Sequence, residues 1–192
     1  MNKWKVAFFV FAALIIVSLT IVIIWATSPT DDVPIPSERA TIDATDSVLL
    51  VETTADDFEK IAMNYLADAL NNSALPVEFT VNETIELHSE LTVFGVTVPF
   101  SMEFEPNVNA EGNIHLKQTT MNVGKLNIPP ITVLKLLSDS VQFPSYIIVS
   151  PNEEEIFVDL SRLRFYKGSQ VKVKEIDLEH NRILLEVIVP NE

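Results

Sequence analysis

Cysteine is absent from this 192-residue chain. That excludes disulfides, thiolate nucleophiles, Cys-ligated metals and the lipid-attachment cysteine of a bacterial lipoprotein. Glycine is nearly as scarce: Gly95, Gly112, Gly124 and Gly168 are too scattered to build a P-loop, a dinucleotide fingerprint or a G-x-S-x-G nucleophile elbow. Basic residues are few as well, 13 Lys and Arg against 27 Asp and Glu, for a net charge of -14. So acidic a chain lacks the cations that neutralise phosphates, which excludes nucleic-acid binding and polybasic docking on anionic head groups. The only histidines are His88, His115 and His180, without an HExxH motif. The first two fall on polar strand positions and the third in a turn, so all three are expected in solvent. "NEEE" at 152–155 reads as a solvated turn, because it lacks the spaced oxygen ligands of a calcium loop. No internal repeat shows, and neither a metal nor a cofactor is expected. No catalytic constellation stands out, so the chain is not expected to be an enzyme.

What the sequence does hold is one long apolar run near its start. "VAFFVFAALIIVSLTIVIIWA", residues 6–26, carries no charge. At about 1.5 Å per residue it spans roughly 31 Å, matching a hydrocarbon core of about 30 Å. Lys3 and Lys5 precede it, whereas Asp31 and Asp32 are the first charges after it. That asymmetry predicts a cytoplasmic tip at 1–5, a transmembrane anchor at 6–26 and an extracytoplasmic remainder. Trp4 and Trp25 bracket the span at aromatic-belt positions. A cleaved signal peptide is the rival reading, but its apolar region runs about 7–15 residues, and Pro29 follows the small residues Ala26 and Ser28 awkwardly. Residues 27–46, with three prolines among small polar and charged residues, read as a flexible linker.

The domain is expected over 47–192. Thr54 is a candidate N-cap for a helix over 54–70, with Phe58, Ile61, Ala62, Tyr65, Leu66, Ala69 and Leu70 on one stripe. From Val77 to Val93 apolar and polar residues alternate almost without a break. That predicts one very long bent strand, or two joined by a bulge near Glu83 or Ser89. Phe94 and Gly95 form a turn, and "VTVPFSMEF" returns antiparallel. The next strand, "NIHLKQTTMNVG", shifts its apolar parity between Leu116 and Met121, which predicts a bulge. Pro130 opens a short helix carrying Ile131, Leu134 and Leu137 on one face. Strands then resume at 146–160, and a closing hairpin turns at 179–182. Its last arm is apolar enough to be covered on both faces. The fold class is α+β: an N-terminal transmembrane helix, then a mainly antiparallel, strongly curved sheet with two helices.

Six strands about 30 Å long make a face of roughly 900 Å². Two helices of this length shield about 400 Å². The remaining area, about 500 Å², equals the largest apolar patch a monomer usually shows. The sheet therefore curls over a dry core, receives a partner, or holds an apolar ligand.

The run "MNKWK" plus anchor, "FGVTVPFSMEFEP", "VGKLNIPP" and "FPSYIIVSPNEEEIFVDL" resembles the YpmS-like family of Gram-positive bacteria across almost the whole chain. That resemblance implies a single-pass membrane protein with an extracytoplasmic domain and supplies no catalytic residues. More distantly, the order of elements is similar to tubular lipid-binding and LmeA-like half-barrels, which enclose acyl chains between curved strands and a helix. On that likeness Phe79, Val81, Val96, Val98, Phe100, Met102 and Phe104 would line an apolar groove, with Ile131 and Leu134 near its mouth. The expected function is binding or presenting a lipid or lipid-linked envelope intermediate, without catalysis. The alternative is an interaction module that regulates a neighbouring cell-envelope enzyme.

Overall fold

The computed structural model describes residues 3–27, 46–71, 73, 75–93, 96–124, 128–163 and 168–191, the side chains of 25–27, 68, 91–93 and 96 excepted. Residues 28–45 of the linker expected over 27–46, and the turn at Phe94 and Gly95, lie outside these residues. Two compact units divide the chain, Met1–Asp31 and Asp32–Glu192.

In the first unit, helix α1 (Lys3–Thr27) carries apolar side chains on every side, and its stretch Lys3–Ile24 is long and apolar enough to cross a membrane. Its one threonine with a described side chain, Thr20, donates its hydroxyl to the Ile16 carbonyl at 2.8 Å, so it brings no unpaired donor into the run.

The second unit is α+β, built on antiparallel, curled, half-barrel-like sheet. Its strands are β1 (Ser47–Thr53), β2 (Val77–Val81), β3 (Ile85–Val93), β4 (Val96–Val108), β5 (Ile114–Asn122), β6 (Ile147–Ser150), β7 (Glu155–Val158), β8 (Gln170–Asp177) and β9 (Arg182–Val189). They form two sheets, a six-stranded one in the order β2-β3-β4-β5-β7-β6 and a three-stranded one in the order β1-β9-β8. The closing hairpin thus leaves the main sheet and takes β1 as its third strand, from Ser47↔Val189 to Thr53↔Ile183. Ile183 and Ile188, of opposite parity on β9, are both buried, so each face of that strand is covered somewhere along its length.

The long alternating stretch 77–93 is a hairpin rather than a bent or bulged strand. Asn82–Thr84 reverse the chain, Val81 pairs with Ile85, and the Asn82 amide donates to the Thr84 carbonyl at 2.9 Å. The bulge expected after Leu116 is present. Glu103 pairs with Thr120 but Phe104 with Gln118, leaving Thr119 as the extra residue. That single insertion restores Met121 and Val123 to the core side.

Helix α2 (Ala55–Asn71) starts after Thr54, whose hydroxyl accepts from the Asp57 amide at 3.3 Å. Asn181, in the β8–β9 turn with φ of 51°, accepts from the Ala55 amide at 2.8 Å. Glu59 accepts from the Val81 amide at 2.7 Å. Ala69 is buried and Phe58, Ala62, Leu66 and Leu70 half-buried, whereas Ile61 and Tyr65 of the expected stripe are exposed. Helix α3 (Pro130–Ser140) begins on Pro130 and buries Val133, Leu134 and Leu137.

Two acidic positions differ from a solvated turn. Pro151–Glu153 form one 3-10 turn, and Glu154 takes a left-handed conformation at φ 53°. Glu155 is then turned inward, nine-tenths buried, with its carboxylate 3.3 Å from His115 Nδ1. His115 in turn packs on the Phe157 ring at 4.7 Å, so it is part-buried rather than in solvent.

His180 is exposed as expected, in the β8–β9 turn, and bonds Asp177 through its backbone N–H and through Nδ1, at 3.1 and 2.9 Å. The hydrogen bond and charge of Asp177 raise the imidazole above its ordinary value of 6.5, and the His180 hydrogen bond lowers the Asp177 carboxyl below 3.8. The pair therefore contributes fully between those two ordinary values. Its contribution fades above 6.5 as His180 loses its proton, and below 3.8 as Asp177 gains one. An NMR titration of His180 is expected to show a midpoint that falls back towards 6.5 in Asp177→Asn. An unmoved midpoint would remove Asp177 as its cause.

Candidate functional site

The apolar residues of β2, β3 and β4 converge as their parity requires, and α3 closes over them. Met102 and Leu134 are 0% exposed, and Phe104, Phe100 and Val81 only slightly more. Phe79, Val98 and Ile131 are half-buried, with Phe79 and Val98 packed against the same cluster, while the Val96 side chain lies outside the described residues. The structure thus brings most of the expected groove residues together in one buried cluster. Ile85, Leu87, Ile114, Leu116, Val123, Val133, Leu137 and Val173 complete the packing.

The open feature lies on the other face of the same strands. A depression of about 550 Å³ is lined by Pro76 and Glu78, by His88, Ser89 and Glu90, by Pro99, Phe100 and Ser101, and by Asn122 and Gly124. Glu78, His88, Glu90, Pro99, Ser101 and Asn122 are strand positions whose side chains alternate away from the core, Ser89 and Phe100 point inward by parity, and Pro76 and Gly124 lie just beyond strand ends. Strand register fixes its geometry: Glu78 pairs with His88, His88 with Ser101, and Ser101 with Asn122. A carboxylate, an imidazole, a hydroxyl and a carboxamide thus stand in one row across four strands, about 14 Å from end to end. Pro76 and Pro99 offer C–H surface beside it. Beneath the floor the Ser89 hydroxyl is buried without a hydrogen-bond partner.

The electrostatics of the row are one-sided. Glu78 and Glu90 are exposed, and His88 Nε2 sits 3.0 Å from the Glu86 carboxylate. Among the described residues that line it there is no lysine or arginine. Such a site suits hydroxyls, amides or an ammonium group and disfavours a bare phosphate. His88 turns to Glu86, and no hydrogen bond among the described residues joins it to Ser101. Among the described residues there is also no cluster of three His, Cys, Asp or Glu able to hold a metal.

Alternation alone assigns Glu78, His88, Ser101 and Asn122 to polar faces. Their alignment depends on four strand registers, and the hairpin at Asn82–Thr84 sets the first of these.

Comparison with known proteins adds a lineage. The family described as "Uncharacterized protein conserved in bacteria (DUF2140)" matches residues 2–189. The chain is 30% identical over 186 residues to the "Uncharacterized protein YpmS" of Bacillus subtilis (strain 168), a match covering 95% of each. No solved structure matches it significantly.

Proposed function

This chain belongs to the DUF2140 family of bacterial proteins, and we propose that it is a non-catalytic binding protein of the cell envelope. In this reading α1 anchors it in the cell membrane with the N-terminus in the cytoplasm. The second unit lies outside and holds the head of a lipid-linked envelope intermediate. The single observation that carries the reading is the row Glu78–His88–Ser101–Asn122 along the floor of an open depression. Its donors and acceptors match the hydroxyls or amines of such a head, with the two prolines against its C–H faces. In this reading the lipid tail stays outside the sheet interior, where Met102, Phe104 and Leu134 are buried in the core cluster.

Ser101→Trp tests this, since it fills the depression from an outward-facing position and leaves the core untouched. Full-length protein is extracted in mild detergent from its own bacterial envelope and analysed by native mass spectrometry. The expected result is an adduct of lipid-linked mass on the wild type that falls at least roughly tenfold in the variant, a loss of about 1.4 kcal/mol. An adduct retained by Ser101→Trp, or none on the wild type, would sink the proposal.

The second reading, an interaction module for a neighbouring envelope enzyme, draws on a different observation. Ile61 and Tyr65 are 45% and 39% exposed on α2 and border a shallow hollow with Asn64. Ile61→Asp would then release a protein partner and leave any lipid adduct in place.

A further inference from the structure

Strand β1 is the edge of the three-stranded sheet, paired with β9 alone among the described residues. Its residues Val48, Leu49, Leu50 and Val51 are 48%, 55%, 62% and 40% exposed. They alternate sides, so both faces of the strand are apolar and open. The usual protections of an edge strand are proline, a bulge, or a lysine directed outward. Residues 47–51 have none, and no charge, in a chain of net -14. We propose that β1 is a self-association strand, pairing antiparallel with β1 of a second copy to continue the sheet as β8-β9-β1-β1-β9-β8.

The open edge selects the kind of occupant. A lipid surface could cover one apolar face, but it offers no partners to the row of backbone N–H and C=O groups between the two faces. A strand satisfies that row and covers both faces at once. A two-fold axis normal to the sheet further restricts the register, because facing residues must share parity. Centring the pair on Leu49 sets Asp46 opposite Glu52 of the second copy, a like-charge pair that disfavours it. Centring it on Leu50 pairs Leu50 with itself, Leu49 with Val51, Val48 with Glu52 and Ser47 with Thr53, without a charge conflict. The net charge of -14 makes two copies repel one another overall, and residues 47–51 carry none of that charge. A seven-residue strand pair is small, so the association is weak in dilute solution and gains from copies sharing one membrane plane.

Because the chain has no cysteine, one introduced thiol reports its own surroundings. In the proposed register the two Leu50 Cβ atoms lie about 4.5–5.5 Å apart, within easy adjustment of the 3.5–4.5 Å that a disulfide needs. Full-length Leu50→Cys, oxidised in intact membranes, is expected to give a disulfide dimer at least roughly tenfold faster than Glu179→Cys, an exposed control in the β8–β9 turn. Leu50→Lys in the full-length chain is expected to lower energy transfer between labelled copies while its thermal midpoint is kept. Equal rates for the two thiols would overturn the proposal. So would quenching, by spin-labelled lipid, of a bimane attached to the Leu50→Cys variant, which would make a bilayer the occupant. A cross-linked product other than twice the chain mass would make the occupant a different protein, and would overturn it too.

Discussion

Phe104→Ala is expected to lower the stability of the second unit by about 3–5 kcal/mol. The ring is 1% exposed, between Ile85 across the β3–β4 pair and Gln118 at the β5 bulge, in the cluster that includes Met102 and Leu134. Truncation removes apolar area and leaves a cavity that sheet and helix backbones cannot close, because strand spacing is fixed by hydrogen bonds and α3 lies over the same core. For a unit of this size the thermal midpoint should fall by roughly 6–20 °C. The same substitution separates a packed core from a groove with room for a ligand. A ring lining a vacant groove loses little when cut back, so a change under about 1 kcal/mol would return these residues to a binding role.

Gly112→Ala is expected to cost about 2–5 kcal/mol, from two sources that add. The residue sits at φ 85°, a conformation that costs an L side chain about 1–2 kcal/mol. A methyl group there would also stand 2.6 Å from Lys172 Cβ and 3.2 Å from Lys172 Cα. Neither atom belongs to the flexible end of the lysine, so backbone must move, at about 1–3 kcal/mol. What moves is the joint between the two sheets: the Gly112 carbonyl accepts from the Val173 amide at 2.9 Å, tying the β4–β5 turn to β8. Asn109 and Asn113 brace that turn, with Asn109 Oδ1 taking the Glu111 and Asn113 amides and Asn113 Oδ1 taking the Leu160 amide. Gly168→Ala is the internal control. Its φ is 76° but nothing lies within 4 Å of the added methyl, so only the conformational cost of about 1–2 kcal/mol remains. Equal losses at the two glycines would show that the sheet contact contributes nothing.

How much of this was legible before the fold was known depends on the kind of signal. Helices α2 and α3 were readable because a cap, a proline and a 3.6-residue period act within one segment. The β5 bulge was readable too, since an extra residue flips parity between Leu116 and Met121. The reversal at Asn82–Thr84 was hidden for the opposite reason. A three-residue turn keeps Val81 and Ile85 on the same parity, so alternation runs through it unbroken, and "NET" contains no glycine to mark it. Strand β1 gives no such signal, because "SVLLV" is continuous rather than alternating and follows a proline-rich stretch. The partition into two sheets, and the row in the depression, rest on pairings between residues far apart in sequence, which no local pattern encodes.

The pairing of Ser47 with Val189 also sets a timetable. As the chain is made, β1 emerges near the start of its unit and its partner β9 near the end, so "VLLV" waits through almost the whole of synthesis with no strand on either side. Asn181, which caps α2, arrives equally late. The unit therefore cannot close progressively from its N-terminus; closure comes last and all at once. Because so many residues must first be brought together, this is a slow-folding topology with a sticky segment exposed in the interval. Whatever meets the nascent chain during that delay, a chaperone or a second copy, meets β1 first.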